Sequence, residues 1–157
     1  MEILDNLDIE ILRILQNDAS TSTREIGDRL FKSHSTVQNR IDAMKKKGVI
    51  KRFTVEIDPD KVGLDFISFT NVQLAEHSKD TLTRFEQEII KFPEVLECHH
   101  LTGGHDFTLR IAAYDRKHYH EVLMDKLFAS FRTGHVETKL IMKTAKAGGP
   151  LPIRVLK

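Results

Sequence analysis

Residues 22–47, STREIGDRLFKSHSTVQNRIDAMKKK, carry the pattern that decides how the first third of the chain folds. Ser22 and Glu25 have the spacing of a capping box, in which the serine hydroxyl accepts the Glu25 amide and the glutamate reaches back, so a helix is expected to continue from there to Leu30. Ser33 can cap a second helix. The stretch therefore predicts two short helices joined by a tight turn.

The second of these helices is expected at residues 34–47 and has an apolar and a polar face, with Gly48 as its end. The apolar residues at helical spacing are Val37, Ile41 and Met44. The outward positions offer hydroxyl, amide and guanidinium groups instead of the Glu and Lys of a merely solvated helix. These outward residues are Ser35, Thr36, Gln38, Asn39 and Arg40.

Such side chains suit the edges of base pairs. Gln and Asn can bind adenine through two hydrogen bonds, and Arg can bind guanine in the same way, in a major groove wide enough for a helix. The two helices are therefore typical of a helix-turn-helix, and a small three-helix unit without a DNA function is the alternative. The residues expected to contact double-stranded DNA are Ser33, Ser35, Thr36, Gln38, Asn39, Arg40, Lys45 and Lys46.

Charge is concentrated in this part of the chain. Residues 32–52 carry seven basic side chains and one acidic side chain, a net charge of +6, although the net charge of the whole chain is only +1. A local positive field attracts a phosphate backbone, because each bound Lys or Arg releases condensed counterions. The alternative is that the lysines only complement the dipole at a helix C-terminus.

Composition excludes several classes of protein. With 157 residues, 40% hydrophobic and 30% charged, the chain is expected to be globular, with one ordinary domain or two small ones. No membrane-spanning helix is expected, because no apolar run is long enough to cross a bilayer, and no secretory signal is expected. Cys98 is the only cysteine, so no internal disulfide can form, and a cytoplasmic location without a membrane partner is expected.

The second half alternates strand and helix patterns. The alternation at residues 49–57 predicts a strand or wing, and residues 58–60 break it. Strands are expected at residues 66–74, 95–101, 106–113 and 136–144, and helices at residues 81–91 and after Asp115. This βαββαβ order is that of a ferredoxin-like fold. Its helices cover one sheet face, and a second subunit is expected to cover the other face, which is not wholly polar.

The expected fold class is therefore α+β, an N-terminal winged helix-turn-helix followed by a C-terminal ferredoxin-like βαββαβ domain. A helix capped by Asp5 is expected at residues 5–16, ahead of the other two. The expected divisions are a helix-turn-helix domain at residues 1–52, a β linker at 53–64, the ferredoxin-like domain at 65–146 and an extended C-terminal arm at 147–157.

The chain resembles the leucine-responsive/asparagine-operon regulator (Lrp/AsnC) family over nearly its whole length. In the first half the resemblance lies in Leu4-Asp5, Asp8, Ile11-Leu12, Leu15, Ser33, Thr36-Val37, Arg40-Ile41, Gly48-Val49-Ile50 and Asp58-Pro59. In the second half it lies in Leu101-Thr102-Gly103, Asp106-Phe107, Thr138 and Lys146. The departures are Ser20 for a usual Arg, Gly27 for Ala, Phe31-Lys32 for Gly-Leu, and Gly104-His105 for an acidic-aromatic pair.

The resemblance implies a DNA-binding head and an amino-acid-sensing domain. Dimers of the family assemble into higher rings, often octamers, with ligand sites between dimers. From the residues themselves, the amides of Gly103 and Gly104 could hold a carboxylate, Asp106 could hold an ammonium group, and Thr138 could add a hydroxyl; a plain hairpin turn is the alternative. The residues expected to bind an effector are Leu101, Thr102, Gly103, Gly104, His105, Asp106 and Thr138.

Other chemistry has little support in the sequence. His99 and His100 point to opposite faces of a strand, and His118 and His120 diverge on a helix, so no metal site is expected. Cys98 is expected to be a small buried hydrophobe. The chain has no phosphate-binding loop, dinucleotide fingerprint or nucleophile elbow, and no enzyme activity and no cofactor beyond an amino-acid effector are expected.

Three functions follow from these observations. The first is a transcriptional regulator that binds specific DNA sequences as a homodimer or higher oligomer and responds to an amino acid or a related metabolite. The resemblance implies that this oligomer is an octamer. The second is a DNA-architectural protein that wraps DNA without an effector, which the altered Gly104-His105 pair favours. The third is a small-metabolite enzyme on a ferredoxin-like scaffold, for which the sequence supplies no catalytic group.

Overall fold

The computed structural model describes residues 4–155, which divide into two compact units. The N-terminal unit comprises residues 4–56 together with residues 146–155, and the second unit comprises residues 57–145. Each unit has a hydrophobic core of its own. Among the described residues, no helix is both long and apolar enough to cross a membrane.

Three helices form the N-terminal unit: α1 (Asn6–Asn17), α2 (Thr23–Leu30) and α3 (His34–Lys46). Each begins at a predicted cap, because the Asp5, Ser22 and Ser33 side chains accept the N–H of the third helical residue. At α1 the capping box is complete, since the Asp8 carboxylate accepts a hydrogen bond from the Asp5 N–H. The predicted capping box of α2 is only half formed, because the Glu25 carboxylate binds Arg29 at 2.6 Å instead of reaching back.

The core of this unit lies between the three helices. The predicted inward residues of α3 are buried there, and Gly48 follows the helix with a φ of +73°. The fully or almost fully buried side chains of this core are Ile11, Ile26, Val37, Ile41 and Met44. The sequence prediction of the inward face of α3 is thereby confirmed.

The predicted strand or wing at residues 49–57 is wrong for this structure. The segment contains no strand, and its alternating apolar side chains Phe53, Val55 and Ile57 are exposed. A strand forms only where a neighbouring strand takes up its N–H and C=O groups. No strand among residues 4–155 pairs with this segment, so its β pattern is unsatisfied within one chain.

Residues 146–155 have no helix or strand, as predicted for a C-terminal arm; residues 156 and 157 of the predicted arm lie outside the described residues. The arm is tied to α1. The Leu151 N–H donates to Gln16 Oε1 at 2.7 Å, and Arg13 Nη2 donates to the Ile153 carbonyl at 3.3 Å. These bonds explain why the arm groups with the N-terminal unit.

The second unit is an antiparallel sheet with helices on one face. Its elements are β1 (Phe66–Leu74), α4 (Lys79–Ile89), β2 (Val95–His100), β3 (Phe107–Ala113), α5 (Arg116–Glu121) with a π-helical continuation (Val122–Phe128), and β4 (Thr133–Leu140). A short 3₁₀ helix (Pro59–Val62) precedes them. The strand order β2-β3-β1-β4 and the βαββαβ succession agree with the predicted ferredoxin-like fold.

Element boundaries differ from prediction mainly at β4. It covers Thr133–Leu140 instead of residues 136–144, because a bulge between Gln73 and Leu74 lets Thr133 pair with Leu74. Asp115 caps α5 as predicted, since its carboxylate accepts the His118 N–H at 2.8 Å.

The two faces of the sheet differ in chemistry. The helix-covered face holds the core, with buried Phe107, Leu109 and Ile111 from β3 packed with Phe85 of α4. On the other face Thr108 donates to Asn71 at 2.6 Å, Asn71 donates to Glu137 at 3.1 Å, and Arg110 donates to Glu97 at 3.0 Å. The expectation that a second subunit covers this face because it is not wholly polar loses support in the centre of the face, where polar side chains bond to one another.

Candidate nucleic-acid and ligand sites

The first turn of α3 presents a cluster of hydroxyl groups. Ser33 Oγ accepts the Thr36 N–H at 3.2 Å and lies 3.0 Å from Ser35 Oγ and 2.8 Å from Thr36 Oγ1. Ser35 is exposed and Thr36 is half-buried. The cap therefore orders three hydroxyls at the helix end whose backbone N–H groups also attract anions.

One acidic residue interrupts the polar face of α3. Asp42 accepts from Gln38 Nε2 at 2.9 Å and lies 3.7 Å from Lys45 Nζ. Asn39 and Lys46 are exposed. Gln38 must therefore exchange its bond with Asp42 for any bond to a base, which reduces the net gain from that base contact.

Arg40 departs from the expected outward orientation. Its Nη1 lies 2.7 Å from Asp5 Oδ2 and 3.3 Å from Asp8 Oδ1, both at the start of α1. The Asp8 side chain is buried, whereas the Arg40 side chain keeps 41% exposure. A buried carboxylate requires a cationic partner, so Arg40 couples α3 to α1 rather than extending toward a base.

The turn between α2 and α3 lacks the usual glycine. Phe31 takes a left-handed conformation, with φ 54° and ψ 45°, and is the one non-glycine residue with a positive φ among residues 4–155. Such a conformation costs an L-residue about 1–2 kcal/mol. The Phe31 side chain is 93% exposed, so burial does not offset this cost.

Gly27 accommodates the same turn. The Lys32 N–H donates to the Gly27 carbonyl at 2.9 Å, and a Cβ added to Gly27 would lie 2.6 Å from the Lys32 carbonyl oxygen. The backbone of the turn thus approaches α2 at a point where Gly27 leaves room.

In the second unit, the predicted effector loop connects β2 to β3. The Leu101 N–H donates to the Asp106 carbonyl at 2.8 Å and closes the loop at its base. Gly103 has a φ of +127°, and a Cβ added to either Gly103 or Gly104 would meet nothing within 4 Å. Both glycines are also exposed, so a ligand can approach the loop at this point.

Asp106 is already engaged within the chain. Its Oδ2 accepts the Leu74 N–H at 2.8 Å and lies 3.2 Å from His77 Nε2. The Asp106 N–H also donates to the Val72 carbonyl at 3.0 Å. Asp106 therefore attaches the loop to the end of β1, in addition to any role toward an ammonium group.

The structure does not bring Thr138 to this loop. Thr138 pairs with Thr70, two residues and about 7 Å along β1 from the Val72 carbonyl that binds Asp106. Its hydroxyl lies 2.5 Å from Tyr119 Oη, which in turn lies 2.7 Å from Thr70 Oγ1. Within one chain the antiparallel register sets Thr138 farther along the sheet, so its role toward a ligand held between copies stays a prediction.

Two histidines that the sequence analysis missed lie at the loop. His77 contacts Asp106, and the ring of His135 stacks on His105 with centroids 5.7 Å apart. His135 pairs with Gln73, so the β1–β4 register brings it there. No local pattern in the sequence signals either contact, because each joins residues about 30 apart.

The remaining candidate chemistry is structural. Burial raises the pKa of Cys98 to about 11, with a further contribution from Glu86, so the thiol is protonated and unreactive at neutral pH. Within residues 4–155, no group of three or more His, Cys, Asp or Glu side chains is arranged to hold a metal ion.

Comparisons with known proteins identify the families of both domains. Residues 4–45 match the family model of the AsnC-type helix-turn-helix domain, and residues 67–151 match that of the Lrp/AsnC ligand binding domain. The chain is 34% identical to the transcriptional regulator AzlB of Bacillus subtilis over 96% of each chain. It is also 34% identical to the glutamate uptake regulatory protein of Zymomonas mobilis, over 96% of this chain and 91% of the relative.

Solved structures show the same likeness. An AsnC family transcriptional regulator from Agrobacterium tumefaciens has a TM-score of 0.86 at 31% identity, covering 95% of this chain and 97% of its own. A transcriptional regulator from Neisseria meningitidis, solved in complex with L-Met, has a TM-score of 0.87 at 27% identity, covering 95% and 96%. These relatives are transcriptional regulators and not enzymes. The chain belongs to the Lrp/AsnC family and is a DNA-binding transcriptional regulator with a ligand-binding domain.

Proposed function

We propose that this regulator reads a specific DNA sequence through α3 and responds to an α-amino acid at the loop of residues 101–106. The observation that carries the DNA part is the ordered polar surface at the N-terminal half of α3. Ser35, Thr36, Gln38 and Asn39 supply groups that can bond base edges, while Ser33, Lys45 and Lys46 are suited to phosphates. Arg40 is left out of the base contacts because of its bonds to Asp5 and Asp8.

Gln38→Ala tests the assignment of α3. We expect the affinity for a preferred duplex to fall about five- to thirtyfold while the affinity for random duplexes is unchanged, since a base contact is lost and a bond to Asp42 offsets part of its value. Gel-shift titrations at several salt concentrations provide the measurement. Lys46→Ala is the matched control, and it should weaken all duplexes alike and flatten the salt dependence. Equal loss on both duplexes in Gln38→Ala would contradict the assignment.

The effector part of the proposal rests on the geometry of the loop. Open glycine amides suit a carboxylate, and the Asp106 carboxylate suits an ammonium group. The similar regulator from Neisseria meningitidis was solved with L-Met, an α-amino acid, which supports this ligand class. Because this side of the loop is open within one chain, we propose that a second copy of the chain encloses the ligand.

For a ligand enclosed between copies of the chain, we propose homodimers that assemble further, to an octamer. Two features support association between copies. One is the exposed part of the loop, residues 101–104, and the other is the segment of Phe53, Val55 and Ile57, whose strand pattern has no partner among the described strands. A ligand bound between copies would favour one assembly over another and thereby change the placement of the DNA-binding units.

Asp106→Asn tests the effector site without breaking the loop, because the Asn side-chain oxygen can still accept the Leu74 N–H. We expect calorimetry against the twenty amino acids to show heat with at least one of them, and Asp106→Asn to weaken that binding about tenfold. Sedimentation of the same samples should show an oligomer whose size responds to the ligand. Asp125→Asn makes the same change at an exposed position outside the loop, and as the control it should bind the amino acid like the parent. If the parent and Asp106→Asn bind the amino acid with equal affinity, the ligand lies elsewhere.

A second candidate function is an effector-independent DNA-architectural protein. The observation that favours it is the existing engagement of Asp106 with Leu74 and His77, together with Gly104-His105 in the loop. Under this alternative no amino acid gives heat, and DNA affinity is the same with and without each of them.

A further inference from the structure

Phe31 is poorly suited to its position on the grounds of folding alone. Its backbone is left-handed, which favours glycine or asparagine, and its ring is 93% exposed to water. Glycine would adopt this backbone conformation without strain, and a polar side chain would be better suited to a position exposed to water. The left-handed backbone ends α2, with the Phe31 N–H donating to the Gly27 carbonyl, but glycine would serve this helix end equally well. The exposed ring therefore points to a function outside the folded chain.

The position of Phe31 indicates which partner it would meet. The residue lies two positions before Ser33, the cap of α3, and is followed by Lys32. Helix-turn-helix proteins place the N-terminal end of their second helix against base edges in the major groove. The ring therefore lies at the end of α3 that approaches DNA, immediately before the segment of residues 32–52, which carries a net charge of +6.

We infer that Phe31 makes an apolar contact with the C5-methyl group of a thymine at the edge of the sequence that α3 reads. The thymine methyl is the apolar group that base pairs present in the major groove, and it distinguishes thymine from the other bases. This inference deepens the proposed sequence-specific function and rests on it. Phe31 would add an apolar contact to the hydrogen bonds of Gln38 and Asn39.

The test uses the full-length chain and duplexes selected by it from a random pool. In a selected duplex, each thymine is replaced in turn by deoxyuridine, which lacks only the methyl group. One replacement is expected to weaken binding of the parent about fourfold, the value of one buried methyl. Phe31→Gly is expected to bind the unmodified duplex about tenfold more weakly, which corresponds to burying part of the ring, and to be insensitive to that same replacement.

The controls separate the contact from effects on folding. Phe31→Asn tolerates the left-handed backbone and should lose the same sensitivity, while Met142→Ala removes an exposed apolar side chain of the other unit and should retain it. If Phe31→Gly binds the unmodified duplex as tightly as the parent does, the inference is overturned. It is also overturned if Phe31→Gly loses affinity for every duplex alike and its binding is still weakened by the deoxyuridine replacement. If the parent selects no preferred sequence from the random pool, the proposed sequence-specific function itself is overturned. This outcome differs from those that overturn only the role of Phe31.

Discussion

Arg40→Ala is expected to lower the free energy of unfolding of the N-terminal unit by about 2–3 kcal/mol, because it leaves the buried Asp8 carboxylate without its cationic partner. The value lies below that of a fully buried pair, since the Arg40 side chain keeps 41% exposure. Binding to specific and random duplexes should weaken together, as a loosened α1–α3 contact affects every DNA alike. Chemical denaturation and gel-shift titration measure the two effects.

Lys46→Ala is the control for Arg40→Ala, because it removes an equal charge from an exposed position of the same helix. It should weaken DNA binding without changing stability. The double variant Arg40→Ala with Asp8→Asn should recover part of the lost stability, since the unpaired charge is gone. If Arg40→Ala is as stable as the parent and loses affinity only for the preferred duplex, then Arg40 contacts a base.

The contact of Arg40 with Asp5 also predicts how the stability of the N-terminal unit changes with pH. A hydrogen bond from the Asp8 N–H, helped by the Arg40 guanidinium, holds the pKa of the Asp5 carboxyl below its usual value. A carboxyl with a lowered folded-state pKa contributes stability above its unfolded pKa, and this contribution is lost as the pH falls through the folded value. Arg40→Ala should therefore show a shallower loss of stability on acidification below about pH 4 than the parent.

Features that depend on neighbours in sequence were predictable. The caps Asp5, Ser22 and Ser33 lie three residues from the N–H groups they accept, so the helix starts could be read from residue types alone. The alternation of Phe107, Leu109 and Ile111 likewise gave the buried face of β3. The fold class followed from the order of such local patterns.

Features that depend on distant partners were not predictable. Arg40 meets Asp8 across 32 residues, and Asp106 meets Leu74 across 32 residues, so neither side chain could be known to be engaged. Residues 49–57 have the pattern of a strand, but a pattern cannot supply the neighbour that a strand requires. The register of β4 against β1 is not encoded locally either, so the distance between Thr138 and the loop within one chain could not be predicted.

Gly27→Val is expected to cost about 2–3 kcal/mol of stability in the N-terminal unit, since the added side chain must displace the backbone of the following turn. A Cβ at this position would lie 2.6 Å from the Lys32 carbonyl oxygen, and Gly27 is itself buried. Opening the turn would also break the bond from the Lys32 N–H to the Gly27 carbonyl. Because this turn sets the start of α3, binding to all duplexes should weaken as well.

Asp28→Val is the matched control for Gly27→Val, as it puts the same β-branched residue at an exposed position one step along α2. It should cost only the difference in helix propensity, about 0.5 kcal/mol or less. Gly27→Ala should fall between the two, because alanine favours the helix by about 1 kcal/mol over glycine while its Cβ meets the same carbonyl. If thermal melts of Gly27→Val and Asp28→Val coincide, then the turn has room at Gly27, and the close approach does not explain the glycine there.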